Sequence, residues 1–312
     1  MEGCDDLKLD YTPLDRAARE LGCECRTGEP MRLHTTFQIG GPADRFLTVQ
    51  TEGQLCGLLK ALEGARLPYF VLGKGSNLLV SDQGIRGAVL MLTGDFKKVE
   101  LLPDGHTVRA GAAASLASVC AFARDHGLTG LEFAWGIPGS AGGAAYMDAG
   151  AYGGEMRDVV SKVRHVTCCG EIGEACGGAL EFAYRRSRYT GKKDIVTFVE
   201  YSLQPGDEAQ ISAKMEELMA RRKEKQPYDM PSAGSVFKRP QNGYAAALIE
   251  ECGLKGKSVG GAQVSEKHAG FIVNTGGATC ADVLELIRII QKTVSEKKGI
   301  DLECEVRVTG GE

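Results

Sequence analysis

Histidine, tryptophan and long apolar runs are what this chain has least of. Five histidines are scattered over 312 residues, and the one tryptophan is Trp135. No histidines stand at zinc-finger or metalloprotease offsets, so no metal site is visible. Eleven cysteines reopen the question only briefly. The near pairs Cys23/Cys25 and Cys168/Cys169 lack C-x-x-C spacing, and reduced, ordinary thiols are expected. No stretch approaches about eighteen uninterrupted apolar residues, and the first thirty show no basic segment followed by an apolar one. A cytoplasmic protein is therefore expected. A formal net charge of −4 argues against nucleic acid or an anionic membrane as the main partner, while a small anionic ligand stays open.

What is plentiful is glycine, at 42 residues. It is concentrated in "GIPGSAGGAAYMDAGAYGG", residues 136–154. Without a Cβ the backbone makes tight turns or lies close against a ligand, and the residues alone leave both readings open. Upstream, Leu55, Leu58, Leu59 and Leu62 fall at helical spacing before Gly64, Tyr69 to Leu72 is an apolar strand, and "GKGSN" leads into another strand at 78–80. Gly73 and Gly75 lack the third glycine of G-x-G-x-x-G, and the next element is a strand instead of a helix. With no G-x-x-x-x-G-K-[ST] either, Rossmann and P-loop sites are excluded. Successive N–H groups in this loop suit an anion-binding nest, a diphosphate cradle, with a plain β-turn as the competing reading.

Residues 95–113 alternate and turn at "PDGHT" as a hairpin does. Ser115 caps a helix running to His126 and stopped by Gly127. "DVVSKVRHVTCCG", "ALEFAYRRSRYTG" and "DIVTFVEYSLQPG" read as strands separated by turns, and "QPGDEA" marks a boundary. Ile211 to Lys225 is a charged amphipathic helix. Val283, Leu286, Ile287, Ile290 and Val294 share one face of another, opened by Thr279 and Asp282 in a capping box and stopped by Gly299. "DLECEVRVTG" supplies a last strand. Leu14, Ala17, Ala18 and Leu21 predict a short amphipathic helix within an N-terminal helical segment, 1–30.

Four segments, "TTFQIGGPA" at 35–43, "VLGKGSNLLVSD" at 71–82, "GIPGSAGGAAYMDAGAYG" at 136–153 and "SAGSVFKRP" at 232–240, have the order and spacing of the MurB family. With "LIEECGLKGKSVGGAQVSEKHAGFIVN" and "LECEVRVTG", the chain resembles these UDP-N-acetylenolpyruvoylglucosamine reductases over roughly residues 30–310. The resemblance implies an α+β fold: an FAD-binding unit of the vanillyl-alcohol-oxidase (PCMH) type in two subdomains, 31–94 and 95–206, and a C-terminal α+β substrate-binding domain, 207–312. It implies a cytoplasmic monomer serving bacterial peptidoglycan precursor synthesis. NADPH would reduce FAD, and the reduced flavin would pass a hydride to C3 of UDP-N-acetylglucosamine enolpyruvate, giving UDP-N-acetylmuramate. An FAD-binding module without turnover, or a flavin oxidase of the same superfold, is the alternative.

By the same resemblance the catalytic residues are Arg185, Ser235 and Glu305. Arg185 would fix the enolpyruvyl carboxylate, neutral Glu305 would donate it a hydrogen bond, and Ser235 would protonate C2. Taken singly, they read as a surface cation, a turn residue and an exposed strand carboxylate. Gly73, Lys74, Gly75, Ser76, Asn77 and Leu78, with Gly136, Ile137, Pro138, Gly139, Ser140, Gly142 and Gly143, would meet FAD largely through backbone. Tyr184, Lys238 and Arg239 would bind substrate, the two cations at its diphosphate, with Ser187 lining the same site. For Lys238 and Arg239 a solvated basic turn competes.

Two positions depart from the pattern. Asp148 stands where the family usually has Asn, and its carboxylate either weakens FAD binding or is offset by a neighbouring cation. Trp135 is bulkier than expected there and would alter access to the flavin edge. The spacing of Arg185, Ser235 and Glu305 leaves no room for an extra substrate-covering loop, which matches the shorter, type II form without a tyrosine-bearing lid.

Overall fold

A computed structural model describes residues 9–311. Helix α1 (Thr12–Glu20) buries Leu14 and Ala18, so the predicted amphipathic face is used in packing. The helical reading of segment 1–30 stops there. Residues 1–8 lie outside the described residues, and Glu24–Pro30 forms strand β1, paired antiparallel with β2 (Pro42–Val49). This strand shows no apolar alternation because it lies at a sheet edge, where Glu24 and Arg26 face solvent and discourage further pairing.

Helix α2 (Glu52–Gly64) follows. Its Thr51 cap accepts the Gln54 N–H at 3.2 Å, and all four predicted leucines are buried. Next come β3 (Tyr69–Leu72), β4 (Leu78–Val80) and β5 (Ile85–Leu92), and the first sheet has the order β1-β2-β5-β3. Strand β4 leaves this sheet. The predicted hairpin is β6 (Val99–Leu101) and β7 (Thr107–Gly111), and Ser115 caps α3 (Leu116–Asp125). A short helix, α4 (Ala141–Tyr146), lies inside the glycine-rich segment. Strands β8 (Val160–Val166), β9 (Ile172–Cys176) and β10 (Ile195–Ser202) complete an antiparallel sheet ordered β9-β8-β10-β7-β6. "ALEFAYRRSRYTG" is not a strand. Its place beside β8 is taken by β9, and it forms a short 3-10 turn and a tight reversal at Ala183–Arg186.

The last part begins with α5 (Glu208–Lys225). Strand β11 (Ser232–Ser235), α6 (Ala245–Glu251), β12 (Ser258–Val259), β13 (Ala262–Val264), β14 (Phe271–Asn274) and α7 (Cys280–Lys298) follow. The third sheet is ordered β11-β14-β13-β12. Its core takes in Phe37, Ile39 and Leu79 from the first part of the chain. Asp82 adds a cap across the same junction, accepting the N–H groups of Cys280 at 2.8 Å and Ala281 at 3.0 Å at the start of α7. Strand β15 (Arg307–Thr309) then returns to pair parallel with β4. Among the described residues no helix is long and apolar enough to cross a membrane.

Candidate active site

The β4–β15 pairing brings the chain's far end against the GKGSN loop. Asn77 clamps it twice: its carbonyl accepts the Arg307 N–H at 3.0 Å, and its side-chain amide donates to the Glu305 carbonyl at 3.1 Å. The strip before β15 also zips onto the end of β11. Glu305 N–H donates to Val236 at 2.7 Å and Lys238 N–H to Glu303 at 2.8 Å. Ser235 and Glu305 are thereby held by main-chain bonds across a sequence gap that no local pattern could bridge.

Arg185 arrives from the Ala183–Arg186 reversal, where the two end residues exchange N–H···O bonds of 2.9 Å. Its φ of 57° is left-handed backbone, which an arginine occupies at a cost of about 1–2 kcal/mol. That strain aims the guanidinium inward, where Nε donates to Glu305 Oε1 at 2.8 Å. Burial pushes the Glu305 carboxyl above its usual value. The charge and hydrogen bond of Arg185, with the charge of Lys238, offset only part of this. Arg185, Ser235 and Glu305 line one cavity of about 730 Å³, with Ser76, Asn77, Ile137, Pro138 and Tyr152 also in its wall. Ser235 is exposed to it.

A second cavity of about 330 Å³ is lined by Lys74, Trp135, Gly136, Ile137, Pro138 and Gly139, and it shares Thr36, Ile137, Pro138 and Tyr228 with the first. Around this double cavity the backbone divides into used and unused donors. Among the described residues, the amides of Lys74, Gly75, Ser76 and Asn77 donate to no protein acceptor, which leaves four consecutive N–H groups for an anion in a loop whose Ser76 and Asn77 form a turn. Gly75 makes the loop possible: its φ is +63°, and a Cβ there would run into the His34 carbonyl. Thr36 fastens the loop to the third sheet, its N–H donating to Gly75 at 3.2 Å and its hydroxyl to Ser232 at 2.7 Å.

The 136–143 segment is more mixed than its glycines suggest. The amides of Ile137, Gly139, Ala141 and Gly142 are bonded to the carbonyls of Ala134, Ile137, Ala114 and Ala112. Gly143 donates to Ser140 Oγ at 3.3 Å. Gly142 therefore serves packing against Ala112, and within 136–143 it is Gly136 and Ser140 that keep unused amides among the described residues. The four loop amides, the adjoining cavities and these two amides fit a dinucleotide whose diphosphate needs backbone donors.

Other predicted residues lie around this centre. Tyr184 accepts the Arg239 N–H at 3.1 Å, and the Arg239 guanidinium lies 4.2 Å over the Tyr244 ring. Lys238 is paired with Glu303. These three stand beside the cavity instead of in its wall. Ser187 does not line it: the hydroxyl is buried and donates to the Tyr146 carbonyl at 2.7 Å. Trp135 does stand in the smaller cavity. Asp148 is fully buried, and its carboxylate faces Arg157, with Nη2 at 2.5 Å and the backbone N–H at 2.9 Å. The neighbouring cation that the second expectation requires is therefore present. Sequence reasoning passed over Thr36, Tyr152 and Arg222. Thr36 and Tyr152 lie within the segments at 35–43 and 136–153, whereas Arg222 is hidden in a charged helix.

Residues 43–175 match the FAD binding domain family, and residues 226–309 match the C-terminal domain family of UDP-N-acetylenolpyruvoylglucosamine reductase. The reductase of that name from Caldanaerobacter subterraneus is 50% identical over 282 residues, covering 90% of this chain and 92% of the relative. That from Geobacillus thermodenitrificans is 46% identical over 284 residues, covering 91% and 92%. The crystal structure of the Thermus caldophilus enzyme superposes with a TM-score of 0.78 at 38% identity, covering 92% of this chain and 98% of the other.

Proposed function

The chain belongs to the UDP-N-acetylenolpyruvoylglucosamine reductase family, FAD-binding oxidoreductases with the two-part PCMH-type fold and an added C-terminal domain, and on that premise we propose that it reduces UDP-N-acetylglucosamine enolpyruvate to UDP-N-acetylmuramate with NADPH, for peptidoglycan precursor synthesis. The observation that carries this reading is the meeting of Arg185, Ser235 and Glu305, from three distant segments, in one cavity beside a run of unused amides. A module that only held the cofactor would have no use for a strained arginine paired with a buried carboxyl. The division of labour we propose is cofactor binding by 31–94 and 95–206 and substrate binding by 207–312.

Bound FAD supplies a two-electron carrier between NADPH and the enolpyruvyl group. Lys74, Gly75, Ser76 and Asn77, with Gly136 and Ser140, would hold it through backbone donors. Arg185 binds the substrate carboxylate and stabilises the enolate charge that develops when C3 is reduced. Glu305, whose burial favours the protonated form, donates a hydrogen bond to the same carboxylate. Ser235 holds a proton on Oγ and delivers it to C2. A hydroxyl is a weak acid, so it serves here only because the carbon it would face is strongly basic and the main-chain bonds of the adjoining Val236 to Glu305 and Gly270 hold it in place. Lys238 and Arg239, next along the chain, take the diphosphate once Lys238 exchanges Glu303 for it.

Isotope placement tests the scheme. Product measured by mass spectrometry and NMR should form with one NADPH consumed per molecule, and reaction in D2O should place deuterium at C2. Absence of any reduced product, or solvent label at both carbons without NADPH consumption, would refute it.

A further inference from the structure

Arg222, in the last turn of α5, is 7% exposed and stands in the wall of the main cavity. One of its terminal nitrogens donates to Gln226 Oε1 at 3.2 Å, while Nε has no partner. Among the described residues no carboxylate lies within ion-pair distance of it, in contrast to Arg185. Its guanidinium is 5.3 Å from the Tyr152 ring, on which Arg221 also stacks at 5.3 Å. On the other side it touches Gly136, whose φ of +83° and missing Cβ leave room for the arginine stem. Burial draws the group below the ordinary arginine value. A guanidinium taken out of water without a counter-charge is unfavourable by itself, and its fork matches phosphoryl oxygens.

We propose that Arg222 is an anion-recognition residue of this cavity, taking the phosphoryl oxygens of a nucleotide bound there. The inference rests on the reductase reading only for the choice of nucleotides: FAD, the uridine diphosphate of the substrate, and NADP(H). Gln226 orients the guanidinium, Tyr152 and Gly136 flank it, and the ligand supplies the missing charge. Arg222 thus complements the backbone donors at residues 74–77 from the opposite, C-terminal part of the chain.

The test compares wild type with Arg222→Met and Arg222→Lys. FAD affinity is read from flavin fluorescence on release. UDP and NADP+ affinities are read on the FAD-loaded protein by perturbation of flavin absorbance, with riboflavin as the phosphate-free control. Loss of the charged hydrogen bonds should weaken one phosphorylated ligand about 10- to 100-fold in Arg222→Met, less in Arg222→Lys, and leave riboflavin unchanged. Loss confined to FAD identifies its diphosphate as the partner. Loss of UDP or NADP+ with FAD unchanged identifies that ligand. The FAD-free melting temperature should hold or rise in Arg222→Met, because an unpaired buried charge is removed. All three affinities within about threefold of wild type in both variants would overturn the proposal, as would a fall in the FAD-free melting temperature without any loss of affinity. A wild-type protein that binds these ligands without reducing the enolpyruvyl sugar would overturn the reductase reading and leave the Arg222 comparison intact.

Discussion

Asp148→Asn places a neutral amide in this buried position, and the structure predicts that it harms stability without improving cofactor binding. The side chain is fully buried against Arg157, whose own side chain is 36% exposed and also paired with Glu155 at 2.7 Å. Asparagine keeps an acceptor for the Arg157 N–H and tolerates the local φ of 46°. It loses the charge. At about 4 Å and an effective dielectric constant near 20, a charge pair is worth up to about 4 kcal/mol. Desolvation of the buried carboxylate and the second partner of Arg157 cancel much of that, leaving a net loss of about 1–2 kcal/mol. For a chain of this size the melting temperature should fall by roughly 2–6 °C, measured at one scan rate, with FAD affinity within about threefold of wild type. Arg157→Met should fall further, since it leaves the buried carboxylate unpaired. FAD binding tightened tenfold or more in Asp148→Asn, with an unchanged melting temperature, would refute the reasoning: the carboxylate would then be acting on the cofactor and not on Arg157.

Three other perturbations probe the site. Ser235→Ala removes an exposed hydroxyl, so stability should change by less than about 0.5 kcal/mol, flavin reduction by NADPH should persist, and substrate-driven reoxidation in stopped flow should slow about 10²- to 10⁴-fold; reoxidation within threefold of wild type would remove Ser235 from the mechanism. Glu305 binds its proton more tightly folded than unfolded, so its contribution favours folding in acid and is lost as pH rises through the raised folded value. Glu305→Gln should therefore melt no lower than wild type near about pH 8, with the difference shrinking toward about pH 4; a large deficit at the higher pH would mean that the Arg185 pair outweighs burial. Gly75→Ala meets both a positive φ and the His34 carbonyl and should cost about 2 kcal/mol or more, read as a lower melting temperature and weaker FAD retention.

Much of the fold was legible because its helices carry their own punctuation. Ser115 and the Thr279/Asp282 box begin helices where the periodicity says they should, and Gly299 ends one in left-handed backbone. Edge strand β1 was not legible, since a strand with little burial has no apolar alternation to display. Nor was the reversal at Ala183–Arg186: tyrosine and arginines read as extended, and the left-handed φ of Arg185 accompanies a contact with Glu305 from far along the chain. The glycine cluster showed where backbone runs bare, but not which of its amides were already bonded within the fold. Arg222 gave no signal, because an arginine among RRKEK looks like solvated surface until the cavity wall behind it is seen.

The central claim is tested most directly by anaerobic mixing of the FAD-loaded protein, first with NADPH and then with UDP-N-acetylglucosamine enolpyruvate, following flavin absorbance. The structure predicts bleaching by NADPH and recovery when the enolpyruvyl sugar is added, with recovery slowed about 10²- to 10⁴-fold in Ser235→Ala. Bleaching by NADPH with no recovery in the wild-type protein would contradict it.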